Sequence, residues 1–372
     1  MRTTDVLVHG AGAVGLACGL ALARQGLAVT MRSAARRADA PPDVRAYALN
    51  ARSLGLLQQL KVWDALPADA KTAVYEMQVH GDRGDGRLDF SAWQQGVGEL
   101  AWIVDAAALE TALATAARYA PHLTVSDEAA AAPPAGLQVV AEGRQSALRE
   151  RLGVAMPMTP YGQRAVAARL VASVPHAGIA RQWFRGGEIL ALLPFDRPEA
   201  GCSHGLVWSV GAARATELLE MDTPSFEAAL AEATGGATGE LKLSGARADW
   251  PLAIGRADRI CGPGWVLVGD AAHVVHPLAG QGLNLGLADV AVLADVIAAR
   301  EPWRELGDER LLARYARQRD FPVRAMATLT DGLWQLFAAP APWMRVLRNT
   351  GLAAVQRLSP LKRALTARAL DA

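Results

Sequence analysis

The sequence predicts an α/β fold in two parts: a Rossmann-like nucleotide-binding domain and an inserted, sheet-rich α+β domain. Three observations predict it. A strand, a glycine-rich turn, a helix and a second strand occupy the first 32 residues. A short apolar strand at 265–268 ends in Gly269-Asp270 and leads through another glycine-rich loop into an apolar helix. Between them, residues 157–255 turn to Val-, Leu- and Trp-rich strands. At 372 residues the chain is also too long for one ordinary core.

The elements follow in order. Residues 5–9 read as a buried strand, 13–24 as a helix ended by Gly26, and 28–32 as the next strand, a βαβ unit of the usual size. Leu54, Leu57 and Leu60 give 50–60 a helical period, and 105–119 reads as a second helix. The Ala/Pro-rich stretch 127–136 predicts a loop, and 137–141 a short strand. Strands are expected at 164–174, 189–195 and 204–210, then an apolar helix over 283–299 and a long amphipathic one over 308–337.

Composition excludes several classes. Half the residues are apolar and a fifth charged, so the chain should fold rather than stay disordered. A net charge of +1 gives no bulk attraction to nucleic acid. Cys18, Cys202 and Cys261 are too far apart for a metal site or a disulfide framework, which fits a reducing, cytoplasmic location. A strand begins within five residues of the start, so no signal peptide is expected. The apolar run 14–22 is too short to span a bilayer, so any membrane contact should be peripheral.

Two motifs carry chemistry. In the first, Gly10 allows a tight turn, Gly12 lets the backbone approach a pyrophosphate, and Gly15 lets helix and strand pack closely. Ala13, Val14 and Gly15 open the helix, whose free N–H groups and positive dipole end suit phosphates. The acidic residue that takes ribose hydroxyls in many dinucleotide sites is missing; Arg32 or Ser33 stands there. Arg32 can accommodate a 2′-phosphate, or be a solvated neighbour of Arg36 and Arg37.

The second motif is Gly269-Asp270, His273, His276-Pro277, Gly280-Gln281-Gly282-Leu283 and Asn284. Asp270 can accept hydrogen bonds from a polyol such as the ribityl chain of FAD. The helix start near Gly282 and Asn284 can meet the flavin edge where negative charge develops on reduction. A nicotinamide dehydrogenase has no need of this element. His273 and His276 can as well be structural or surface residues, and no residue stands out as a catalytic base.

The stretch 266–289 closely resembles the flavin signature of class A flavoprotein monooxygenases, which share the fold of para-hydroxybenzoate hydroxylase. Residues 43–53, Tyr161-Gly-Gln163, Pro175-His176, Trp183-Phe184, 190–194, 315–319 and 330–337 resemble the subgroup of ubiquinone-biosynthesis hydroxylases. The resemblance covers nearly the whole chain. It implies an α/β FAD-binding Rossmann-like domain (1–75, 101–156 and 256–335), an inserted α+β substrate domain (76–100 and 157–255) and a helical tail (336–372). It implies that Arg45 contacts the FAD phosphate region and that Glu142 stands where the family has an aspartate serving FAD and NAD(P)H. It implies FAD as cofactor, NAD(P)H as transient reductant, O2 as co-substrate and an aromatic, phenolic, prenylated substrate. Pro277 to Gln281 should face the reacting centre. Departures are Glu142 for Asp, Ala106 for a polar residue, and a short link between Arg118 and Ala141. These leave open a degenerate scaffold subunit of a biosynthetic complex; Arg32 leaves open an NADP-dependent dehydrogenase.

The tail carries Arg345, Arg348, Arg357, Lys362, Arg363 and Arg368 among leucines. Such a segment can lie on an anionic membrane, dock on a partner, or close the domain with a solvated basic face.

Overall fold

The computed structural model describes residues 4–33, 43–81, 86–127, 132–276 and 280–338. Pro277 and the basic tail from 339 onward lie outside them.

Three sheets organise the chain. The first has six strands in the order Cys261–Gly262, Trp265–Leu267, Ala135–Val140, Thr4–His9, Val29–Ser33 and Leu123–Asp127. All neighbours are parallel except the Cys261–Gly262 edge. Val6, Leu7, Val8, Leu137, Val139 and Val140 are buried, as expected of strands covered on both faces. The helix Ala13–Ala23 is buried nearly all round, and Gln281–Ala298 packs beside it. Gln281–Ala298 is the one described helix long and apolar enough to cross a membrane, yet most of it lies in this core.

The second sheet has nine strands. Its path is His273–Val274, Ala248–Arg256, Met158–Ala172, Ser203–Gly211, Glu188–Phe195, Ile179–Arg185, Glu76–His80 and Arg87–Ser91, with Leu241–Leu243 on the side of Met158–Ala172. Helices Ala212–Glu220 and Thr223–Thr234 cover one face, burying Leu206 and Trp208 against Leu218, Phe226 and Leu230. The third sheet joins Ala46–Leu49, Ala101–Asp105 and Lys71–Val74, all antiparallel. The chain passes from this sheet into the nine-stranded one across Tyr75 and returns at Ala101.

The structure adds elements that the pattern does not announce. The third sheet is made of strands four or five residues long, too short for a clear period. Leu123–Asp127 is an edge strand beside Val29–Ser33, so the link after Tyr119 re-enters the parallel sheet directly. The alanine-rich loop ends earlier than expected, because the strand begins at Ala135, which already pairs with Thr4 of the first strand.

The second glycine-rich motif is held by two sheets. Trp265–Leu267 precedes it in the parallel sheet, and His273–Val274 adds to the edge of the nine-stranded one through Gly255 and Arg256. The long helix Glu309–Ala338 clamps it from behind: the buried Tyr315 hydroxyl donates to the Leu267 carbonyl at 2.9 Å.

Candidate cofactor and substrate site

One cavity of about 1880 Å³ runs between the sheets. That exceeds the roughly 300–1,000 Å³ of a pocket for one small ligand. Its walls come from the first glycine turn (Gly10 to Leu16), Arg32, Asp43 to Ala48, one side of the 106–119 helix from Glu110 to Arg118, Glu142 to Gln145, Asp270, Val274 to His276, Gly280, Gly282 and Leu283. A further bay is formed by the nine-stranded sheet.

The first turn is built for close approach. Gly10 has φ +104°, and a Cβ there would sit 2.3 Å from the Ala141 carbonyl oxygen. A Cβ on Gly15 would sit 2.2 Å from the Gly10 oxygen, so helix and turn touch backbone to backbone. Gly12 has open space around it, and no side chain caps the helix that follows. The first-turn N–H groups are left for a ligand.

The two motifs meet physically. Val14, from the first helix turn, lies 3.2 Å from where a Cβ would stand on Gly269 and 2.6 Å from one on Gly286. Only glycines let the Ala13–Ala23 and Gln281–Ala298 helices approach this closely. Gly280 begins the second helix with φ +68° and no side-chain cap, against Ala48. Two uncapped helix starts thus share one cavity.

Asp270 is open to that cavity, with protein packed on its other sides. Burial raises its pKa, opposed by His273, Arg144 and Arg45. Its turn is fixed by Asp289, whose Oδ2 accepts from the Gly269 N–H at 2.8 Å and pairs with His273 Nε2 at 2.7 Å. Oδ1 accepts from Arg319 Nε at 2.6 Å. Burial alone would raise the Asp289 pKa; His273, Arg319 and the Gly269 N–H outweigh it and lower it. Arg149, also buried, donates to the next carbonyl, Ala271 O, at 3.3 Å.

The expected site residues divide into four groups. Gly10, Gly12, Ala13, Val14, Gly15, Arg32, Arg45, Glu142, Asp270, Gly280, Gly282 and Leu283 line the cavity. Gly269 and Gln281 lie behind the wall, and Pro277 is outside the described residues. Asn284 serves the scaffold instead. Its Oδ1 accepts from the Asn50 N–H at 3.0 Å and the Ser53 hydroxyl at 2.7 Å, and its amide donates to Ala48 O at 2.7 Å. Those bonds use the side chain to hold the Ala46–Leu49 strand under the cavity.

Two residues reach the cavity already engaged. Arg45 pairs with Asp43 at 2.6 Å and lies 3.6 Å from Glu110, so a phosphate there would share the guanidinium with two carboxylates. Glu142 Oε2 accepts from Ser146 Oγ at 2.6 Å and Leu148 N at 2.9 Å, tying the turn to the short helix Ala147–Arg151. Ala106 is wholly buried and donates its N–H to Arg45 O at 3.2 Å, behind the wall. Asp289, Arg319, Asp43 and Glu110 were not legible as site residues. Their partners are remote in sequence, except that Asp43 stands two residues before Arg45.

A large cavity with two uncapped helix starts and an acidic turn fits a dinucleotide bearing a second ring system, and the residues present fit FAD. The comparisons place the chain within that class. A family model described as an FAD binding domain matches residues 3–133 and 134–330, and the chain belongs to this family, as an FAD-dependent monooxygenase. A ubiquinone hydroxylase of Rhodospirillum rubrum is 30% identical over 384 positions, covering 97% of this chain and 88% of the relative. The 3-demethoxyubiquinol 3-hydroxylase of Escherichia coli is 31% identical over 386 positions, covering 97% of each. Among solved structures, p-nitrophenol 4-monooxygenase from Pseudomonas putida superposes with a TM-score of 0.77 at 16% identity, covering 99% of this chain and 98% of that one. Klebsiella pneumoniae HpxO complexed with FAD and uric acid gives 0.73 at 18%, covering 98% and 97%. At such identities these two likenesses speak for the fold.

Proposed function

We propose that this protein hydroxylates an aromatic, phenolic ring carrying an apolar prenyl tail, using NAD(P)H and O2, as a step of ubiquinone biosynthesis. The observation that carries the reading is the second bay of the cavity. Met77, Ile189, Leu193, Val207, Trp250 and Leu252 line it, in one space with Asp270 and the start of Gln281–Ala298. Gln182 and Ser209 are polar members of the same wall, but a largely apolar chamber of this kind takes a hydrophobic ring and tail and helps keep water from the reaction. The two relatives above act, by their names, on ubiquinone or its precursors, which supports the same substrate class.

Bound FAD supplies the redox and oxygen chemistry. The protein's own part is binding and exclusion. The first-turn N–H groups at Ala13, Val14 and Gly15 would meet the pyrophosphate. Asp270 would accept from ribityl hydroxyls. The N–H groups after Gly280 would face the ring where reduction brings negative charge. We also propose a cytoplasmic location with the basic tail in peripheral contact with an anionic membrane, which co-sedimentation with anionic vesicles tests.

The enzymatic test has two stages. Purified protein should show the absorption bands of bound flavin. With 2-prenylphenol, NAD(P)H and O2, it should oxidise the nicotinamide and yield a product heavier by one oxygen atom. Flavin present without phenol-dependent oxidation would turn the reading toward a scaffold subunit. A colourless protein holding NADP would turn it toward a dehydrogenase.

A further inference from the structure

His276 belongs to the cavity wall and has no hydrogen-bond partner among the described residues. Its side chain is wholly buried, and neither ring nitrogen finds a partner among those residues. Leaving two polar atoms unbonded in a packed interior is unfavourable, and native proteins keep such groups chiefly where another molecule completes them. His276 stands two residues past Val274, whose strand His273–Val274 is paired to the nine-stranded sheet through Gly255 and Arg256.

Packing also braces the ring. Tyr161 meets it edge-on, with centroids 4.9 Å apart. The Tyr161 hydroxyl donates to Asp331 Oδ1 at 3.1 Å, and Trp334 lies 4.6 Å from the Tyr161 ring. Trp334 in turn donates to Gln163 Oε1 at 2.9 Å. The long C-terminal helix, which carries Asp331 and Trp334, thus holds Tyr161 and through it the imidazole.

Position gives the ring its role. His276 shares the wall with Val274, Val275, Gly280, Trp250 and Leu252, where the second glycine motif meets the apolar bay. Burial lowers its pKa to about 4, so the ring is neutral at ordinary pH, with one donor and one acceptor nitrogen. That pairing suits a hydroxyl, which can give a hydrogen bond and take one.

We infer that His276 is a specificity-determining residue that accepts the hydrogen bond of the substrate's ring hydroxyl. The inference rests on the phenol reading above and adds the residue that recognises the phenol. It explains how a largely apolar bay, with Gln182 and Ser209 farther along its sheet, would turn one edge of the ring toward a fixed point.

The test compares two probes on FAD-loaded protein: 2-prenylphenol and its methyl ether, which keeps the tail and loses the O–H. Binding is read from the perturbed flavin absorption. Wild type should prefer the phenol by about tenfold or more, the usual consequence of leaving one buried polar partner unmet. His276→Phe should erase that preference, and His276→Gln, which keeps an acceptor, should restore part of it. Where His276→Phe fails to hold FAD, His276→Leu carries the same comparison. A preference that persists unchanged in the apolar variant overturns the role of His276 and leaves the phenol reading standing. Wild type that binds neither probe overturns both.

Discussion

Asp289 offers the sharpest perturbation because it has no solvent to fall back on. Its side chain is fully buried and serves three donors: the Gly269 N–H, His273 and Arg319. Asp289→Asn keeps the shape but turns an NH2 toward at least one of those donors. It also leaves the Arg319 guanidinium, itself buried, without its carboxylate. Removing one partner of such a pair typically costs about 3–5 kcal/mol. At roughly 2 °C or slightly less per kcal/mol in a chain of this size, Tm should fall by about 5 °C or more. The loss should also reach the cofactor, since the Gly269 N–H sets the Asp270 turn; FAD affinity of the apoprotein, read by flavin fluorescence, should weaken about tenfold or more. The double variant Asp289→Leu with Arg319→Met separates the two effects. Removing both charges together spares the cost of the unpaired Arg319 cation, so part of the lost Tm should return. FAD affinity should not, because Gly269 and His273 still lack their acceptor. An Asp289→Asn protein with wild-type Tm and wild-type FAD affinity would refute the reasoning.

Three further outcomes are expected. Gly15→Ala puts a Cβ 2.2 Å from the Gly10 carbonyl, backbone against backbone, so the purified protein should lose most of its flavin, measured as the ratio of flavin to protein absorbance. His204 is wholly buried, and neither nitrogen has a partner among the described residues; burial, then His176 and Arg181, depress its pKa to about 3. The unfolded state therefore takes up this proton below about pH 6.5 while the folded state refuses it until about 3. Stability is lost across that window at about 1.4 kcal/mol per pH unit for this one group. His204→Leu should flatten the slope of urea-unfolding free energy against pH by that amount, and an unchanged slope would exclude the assignment. Glu142→Ala removes the acceptor of Ser146 and Leu148 and should cost about 1–2 kcal/mol in urea unfolding, whereas Glu142→Gln, which keeps an oxygen there, should cost less.

How far the sequence speaks for itself varies with the range of the interaction. Gly10, Gly12 and Gly15 are legible because a turn, a close approach and a helix start all fall within six residues. The same holds for Gly269-Asp270 and Gly280. Asn284 was read as a cofactor residue because it stands in the motif, yet its side chain reaches back to Ala48, Asn50 and Ser53, more than two hundred residues earlier. Arg45 is legible as a cavity residue, but its engagement with Glu110 depends on how a strand and a helix from separate segments meet. The short strands Ala46–Leu49, Lys71–Val74 and Ala101–Asp105 take their identity from pairing with one another, which no local pattern records.

The glycine pairs carry a consequence for how this protein folds and holds its cofactor. Val14 fits only because Gly269 and Gly286 lack side chains, so the first and last thirds of the chain must be packed together before the cavity exists. The same turn is tied by Asp289 and Arg319 to the long C-terminal helix, and by His273–Val274 to the nine-stranded sheet. A ligand that binds this assembled form and not the unfolded chain stabilises all of it at once, by about 2.7 kcal/mol at a hundredfold excess over Kd. FAD should therefore raise Tm as a single transition in the wild type. In Asp289→Asn the added FAD should raise it less, since the turn that FAD would engage is no longer held. Equal shifts in both proteins would mean that the Asp270 turn contributes nothing to FAD binding, and that the first glycine turn holds the cofactor by itself.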